Sequence, residues 1–356
     1  MFNKISRILM FVLVFALFAC DQTQKSDHSP NASNSVDQAE STELVLYSSR
    51  NEQLILPLIE AYEAETGTQV KFVTDKPEPL IEKLKAEAEL TPADVLMTVD
   101  AGNLWRASQA GLFMSLESDV LENAIPTNLR DVNMQWFGFS QRARTIVYSS
   151  ERVKPEELST YENLANEKWH GKLCLRTSKK VYNQSLVAML IATHGTGVTE
   201  NIITGWVNNL ATDPFSNDTK TMQAILAGQC DVAIVNTYYF GRMQKQDSQL
   251  ALKLFWPNQN EAPDQLSGVH VNISGAGVLK HAKHPEQALH FMEWMASARA
   301  QEILAKGNME YPVVSDVAND PLVDSWGTFK ADEQAIALAG ELQSDAVMLM
   351  ERVEYR

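Results

Sequence analysis

From about residue 43 the chain alternates between two hydrophobic rhythms. Residues 43–49 (ELVLYSS), 68–74 (TQVKFVT) and 93–99 (ADVLMTV) are short apolar runs of strand length. Between them Leu54, Ile55, Leu58, Ile59 and Tyr62 recur at helical spacing until Gly67 stops them, and 80–90 (LIEKLKAEAEL) is a charged amphipathic helix. Such alternation predicts βαβ units around a parallel sheet covered on both faces. Further strands are expected at 144–150 (RTIVYSS), 172–177 (KLCLRT), 231–236 (DVAIVN), 251–257 (ALKLFWP) and 269–280 (VHVNISGAGVLK). Helices are expected at 184–194, 199–210 and 218–228, directly after 236, at 285–296 and 298–306, and in a C-terminal segment from about 331. No repeat of solenoid period is visible. Two α/β lobes fit the ordered length of about 310 residues better than one.

The first 42 residues follow neither rhythm. Lys4 and Arg7 form a basic start, and 8–19 is an unbroken apolar run, the length of a secretory signal core and too short to span a bilayer comfortably. The run ends in Leu17-Phe18-Ala19-Cys20, which resembles a bacterial lipobox with Cys20 as the lipidated residue, although Phe18 is bulky for its slot. The alternative is an ordinary cleaved signal peptide. Asp21 resembles the signal that retains such lipoproteins at the inner membrane. Residues 21–42 almost lack large apolar side chains and read as a disordered tether. No later segment reaches eighteen apolar residues, so the expected location is periplasmic, lipid-anchored, in a compartment that permits disulfides.

Composition narrows the function. Among 356 residues, 30 Lys+Arg stand against 45 Asp+Glu, a net charge of −15. That argues against a nucleic-acid binder, whose affinity rests on cations at phosphates, and against a surface drawn to anionic lipid. The content of 45% hydrophobic and 21% charged residues is that of a globular protein. Three cysteines without a CxxC pattern make a Cys-rich zinc site unexpected. The 13 methionines are scattered, which disfavours copper. The 7 histidines show no metal spacing: His281 and His284 fall in a surface turn and His270 in a strand, so all read as structural.

The segments YSSR (47–50), TPADVLMTVDAGNLWRASQAGLF (91–113), WFGFSQRARTIVYSS (136–150), VYNQSLVAMLIATHG (181–195), NTYYFGR (236–242), HVNISGAGVLK (270–280) and EYPV (310–313) together resemble the ferric-iron-binding proteins of ABC importers, in the branch of cyanobacteria and many proteobacteria. The resemblance spans nearly all of 43–330. It implies an α/β, two-lobe periplasmic-binding-protein-like fold with a cleft between lobes joined by two crossing strands, near 142–147 and 270–276. The expected division is a signal segment 1–20, a tether 21–42, lobe 1 from 43–143 with 271–318, and lobe 2 from 144–270 with 319–356. Ligands of such folds sit outside the carboxyl ends of strands.

Fe³⁺ is small, hard and highly charged, and favours anionic oxygen. A phenol titrates near 10, and a trivalent ion at bond distance can ionise it at neutral pH. Of the 9 tyrosines, Tyr238 and Tyr239 sit at a strand-to-helix turn and Tyr182 at the start of a helix. The resemblance makes all three metal ligands; the alternative is core aromatics with satisfied hydroxyls. In the first lobe the sequence departs from its relatives, which carry His and often Tyr where this chain has Asn51 and Glu52. Asn51 is a poor ligand for Fe³⁺. Glu52 is a good one, but Ser49-x-x-Glu52 also spells a capping box. Asp100 lies near where some relatives supply a carboxylate. Arg142 and Arg144 on the first crossing strand, and Arg50 in a cleft-facing turn, are candidates for carbonate or another small synergistic anion, or for pairing with tyrosinate; the alternative is ordinary ion pairing. Cys174 and Cys230 stand at two strands of one lobe and are expected to form a disulfide, the alternative being two buried thiols.

No nucleophile–base pair, phosphate loop or catalytic zinc pattern is visible, so no enzyme is expected. The leading expectation is the iron-binding subunit of an ABC importer, a monomer serving a permease with a separate ATPase and touching the membrane through its anchor alone. A rival keeps the fold but binds Fe²⁺, a ferric chelate or an oxyanion. A rival from another class is a tethered sensor or assembly factor.

Overall fold

The computed structural model describes residues 43–260 and 267–356. The expectations for Cys20, the leader and the tether lie outside the described residues.

The first α/β stretch runs β1 (Glu43–Ser48), α1 (Glu52–Thr66), β2 (Gln69–Thr74), α2 (Pro77–Glu87), β3 (Val95–Val99) and α3 (Ala101–Gln109). Gly67 ends α1 at φ 74°, a left-handed conformation that glycine adopts without strain, and its N–H closes on the Glu63 carbonyl. After the short α4 (Asp119–Ala124) comes β4 (Phe137–Ser149), then β5 (Leu173–Cys174), α5 (Val181–Asn208), α6 (Asp218–Leu226), β6 (Val232–Asn236) and α7 (Thr237–Gln246). The chain continues with β7 (Leu252–Phe255), β8 (Val271–Val278), α8 (Pro285–Met295), α9 (Ala298–Asn308), α10 (Pro321–Asp324), α11 (Leu338–Glu341) and α12 (Gln343–Arg352).

The strand order is β2-β1-β3-β8-β4-β6-β5, with β7 also on β4. The pairs β1–β2, β1–β3 and β5–β6 are parallel, as expected, but every pair that includes β4 or β8 is antiparallel. The sheets are therefore mixed. The physical reason is that β4 and β8 carry the chain between the two halves and run against the strands of the βαβ units. β4 pairs with β8 up to Ala143 and with β6 from Arg144, so one strand serves both halves. The return crossing lies at 269–271, where Val269 bridges Ala331 and the His270 carbonyl accepts the Arg144 N–H. Most of the expected second crossing, 270–276, therefore belongs to the first sheet.

Each half has its own core. Leu46, Met97, Phe137, Phe139, Ile273 and Phe291 are buried in the first. Ile146, Leu186, Met189, Trp206 and Ile234 are buried in the second, with Val147, Val235 and Phe240 in an adjoining cluster. Cys174 and Cys230 lie in that cluster and form a disulfide with Cα atoms 5.9 Å apart. α5 is long and apolar enough to cross a membrane by composition. It is, however, broken at Gly195 (φ 74°, ψ 164°), so the two helices read from sequence are both present. The strand expected at 172–177 shrinks to two residues, and the C-terminal segment turns helical only at Leu338. That segment ties the halves: Ile336 packs into the first core and Ala339 into the second. Gly340 lies so close to Trp105 that a Cβ would meet the Trp105 Cβ at 2.4 Å.

Candidate metal site

β6 ends at Asn236 and α7 begins at Thr237, so Tyr238 and Tyr239 occupy the first turn of a helix that opens at a strand's carboxyl end. Their rings lie 4.3 Å apart at 35°. Tyr182 is the second residue of α5, and all three tyrosines face one cavity of about 130 Å³. First turns of helices favour negative charge, because the unpaired N–H groups gather there. From the first half, Ser49, Arg50, Asn51 and Glu310 line the opposite wall, and Arg142 enters from β4.

Guanidiniums surround the phenols. Arg142 lies 5.7 Å from the Tyr182 ring centre and Arg176 5.1 Å from it. Arg242, one turn beyond the tyrosine pair, lies 5.2 Å from the Tyr238 ring and 5.5 Å from the Tyr239 ring. Burial raises the Tyr182 hydroxyl above the usual phenol range, with the Arg142 charge opposing it. Burial raises Tyr238 well above that range too, reinforced by Tyr182 and Tyr239. Without a cation these two are phenols; a trivalent ion at the hydroxyls would reverse the balance.

The structure distributes the remaining sequence-predicted residues unevenly. Arg142 is buried; its Nη1 donates to Ser274 at 3.1 Å, while Nη2 has no partner among the described residues. Arg50 also lines the cavity, but its charge is spent on Glu310 at 3.1 Å. Arg144 does not line it. It takes the ion-pair alternative, bonding Asp218 at 3.3 Å and Asn236 at 3.1 Å, and Asn236 in turn donates to the Tyr238 hydroxyl at 3.4 Å. Arg144 thus supports a tyrosine at one remove rather than facing an anion.

Asn51 lines the cavity; Glu52 is exposed and points elsewhere. The capping box is also absent. No side chain caps α1, because Ser49 Oγ is turned to Thr98 and the Val99 N–H instead. Asp100 is fully buried at φ 76°, accepts from the Gly102 N–H, Ser185 and Asn272, and does not line the cavity. Two of the histidines singled out from sequence have structural settings: His284 bonds Asp94, and buried His270 is held neutral, its pKa lowered to about 3 by burial beside Arg144 and Arg142.

Four residues of the site were not singled out from sequence: Arg176, Arg242, Asn308 and Glu310. Arg242 had a signal, since i+3 and i+4 from the tyrosine pair is the same helix face. Glu310 and Asn308 reach the cavity through tertiary folding alone.

A two-sheet α/β protein with ligand-facing groups at a strand's carboxyl end and a cleft between its halves is the architecture of an extracellular solute receptor. Residues 57–331 match the model of the bacterial extracellular solute-binding protein family, and the chain belongs to that family. It is 43% identical over 324 residues to iron uptake protein A2 of Synechocystis sp., covering 89% of this chain and 91% of the relative. It is 26% identical to the Fe(3+)-binding periplasmic protein of Serratia marcescens, covering 78% and 81%. A solved structure of Trichodesmium IdiA (FutA) in complex with iron and citrate ligands is 43% identical, with a TM-score of 0.84 over 88% of this chain and all of that one.

Proposed function

We propose that this chain captures Fe³⁺ in the interlobe cleft and is the substrate-binding component of an ABC iron importer. The observation that carries the proposal is the meeting of three tyrosines from two helix starts in one arginine-rimmed cavity. Tyr182, Tyr238 and Tyr239 supply three phenolates, the donor type a hard trivalent ion prefers. Their charges neutralise the ion's own. The names of the relatives, an iron uptake protein and ferric-binding proteins, support the same reading. Asn51 is the only other side chain of the sequence-predicted ligand set at the cavity, and Glu52 has no part in binding. Arg142, with a free Nη2, is the group placed to hold carbonate or another small anion beside the metal.

In this reading the lobes divide as 43–143 with 271–318 and 144–270 with 319–356. The strand switch at Ala143/Arg144 supports the first boundary, and Ile336, packed into the first core, is an exception to the last. The protein works as a periplasmic monomer, anchored through Cys20 to the inner membrane, and delivers iron to a permease driven by a separate ATPase. It catalyses no reaction. Titration of the metal-free protein with Fe³⁺, with and without bicarbonate, tests the centre of the proposal. A visible tyrosinate-to-iron charge-transfer band is expected, and a colourless titration refutes it. Cys20→Ser is expected to move the protein from the membrane fraction to the soluble one.

A further inference from the structure

Every phenolate donor comes from α5 and α7, on one side of the cleft. The first half offers the cavity Asn51, an amide, and Glu310, whose two carboxylate oxygens are both already hydrogen-bonded within the protein. Glu310 Oε1 accepts from Asn308 at 2.7 Å, and Oε2 accepts from Ser140 at 2.6 Å and Arg50 at 3.1 Å. A metal held this way has no strong donor to pull the opposite wall inward, so closure needs another contact. One is present at the mouth of the cavity. Arg242 Nη2 donates to Asn308 Oδ1, and Asn308 passes the contact through Glu310 to Arg50 and from there to Ser274 on β8 at 2.6 Å. Asn308 is the last residue of α9, which packs on α1 in the first half. Arg242 belongs to α7 in the second half and stacks on both Tyr238 and Tyr239. A second observation agrees. Gly241 brings α7 so close to Met309 that a Cβ there would lie 2.7 Å from the Met309 Sδ.

We infer that the Arg242–Asn308–Glu310–Arg50 chain is the latch that closes this cleft, in place of a bridging metal ligand from the first half. Asn308 is then a positioning residue: its amide is engaged by Arg242 and Glu310, and it holds Arg242 over the tyrosines. Because the latch is made of protein groups alone, it forms without metal, and the metal-free protein populates the closed arrangement. The inference rests on the ferric reading for its role in retention, but not for the latch itself.

Asn308→Leu keeps the branched side-chain shape and removes both hydrogen bonds. Small-angle scattering of the metal-free protein is expected to give a larger radius of gyration for the variant than for the wild type. Release of Fe³⁺ to an excess of chelator is expected to be about tenfold faster, the scale of one hydrogen bond to a charged group. Superimposable metal-free profiles, or an unchanged release rate, overturn the latch. Asn308→Ala serves the same comparison if the leucine variant fails to give a wild-type thermal unfolding midpoint. A wild type that shows no charge-transfer band refutes the ferric reading, and the metal-free scattering comparison still decides the latch.

Discussion

Loading one ferric ion is expected to release about three protons, one per phenol displaced. The count follows from which groups at the cavity hold a proton to give. Tyr182 and Tyr238 are pushed up by burial, so both are neutral near pH 7 without metal. Arginines keep their protons at any accessible pH. Glu310 is an acid that has already ionised: burial raises it, but Arg50, Arg142, Ser140 and Asn308 together hold it below the usual carboxylate range. It therefore contributes no proton. Since the loaded state binds fewer protons than the free state, affinity rises with pH, by up to about a thousandfold per unit while three protons are exchanged. The assay is an indicator-dye titration in weak buffer, with ferric nitrilotriacetate as donor and its own proton uptake subtracted. Tyr239→Phe is expected to lower the count by one. A wild-type release below two protons, or the same count in the tyrosine variant, refutes three-phenolate binding.

Tyr238→Phe and Tyr239→Phe should each dim and shift the visible band and weaken ferric binding by several orders of magnitude, read by competition with a chelator, because each removes a charged donor from a trivalent ion. Glu52→Gln should leave affinity within about twofold, as expected for an exposed residue away from the cavity; loss of iron binding in that variant would overturn the placement of the site. Cys174 and Cys230 should resist thiol labelling in denatured, unreduced protein, and the double alanine variant should lose about 2–4 kcal/mol in denaturant unfolding.

The βαβ rhythm was legible because apolar periodicity and the stop at Gly67 are local properties. Sheet direction was not, because β4 and β8 look like any buried strand, and their antiparallel pairing depends on a crossover that no window of sequence contains. The tyrosines were singled out through the resemblance, since burial among core aromatics fitted their local pattern as well; the structure buries Tyr238 and brings all three to one cavity. Glu52 misled because S-x-x-E is a statement about spacing alone. In the structure Ser49 finds a better partner in Thr98 and the Val99 N–H on the neighbouring strand, and the helix start goes uncapped. Arg144 misled in a similar way. It and Arg142 are two apart on one strand, so their side chains share a face, but the strand changes sheets between them. Arg142 stays with the cavity, while Arg144 is drawn inward by the buried Asp218.

The charge ledger around the tyrosines bears on what accompanies the metal. Three phenolates and Fe³⁺ sum to a neutral centre. Of the arginines around it, Arg50 is neutralised by Glu310, and Arg144 and Arg176 share Asp218. Arg142 and Arg242 have no carboxylate within ion-pair distance among the described residues, so the loaded site keeps an excess of positive charge next to a coordination sphere that three donors do not fill. One of these charges lies at the exposed mouth, where water screens it. Arg142 is buried, where an uncompensated charge is costly, and its Nη2 has no partner to soften that cost. A small oxyanion bound to the metal and to Arg142 would relieve both deficits at once. For this reason bicarbonate is the variable in the ferric titration: it should tighten binding and shift the charge-transfer band, and it should do neither in Arg142→Gln.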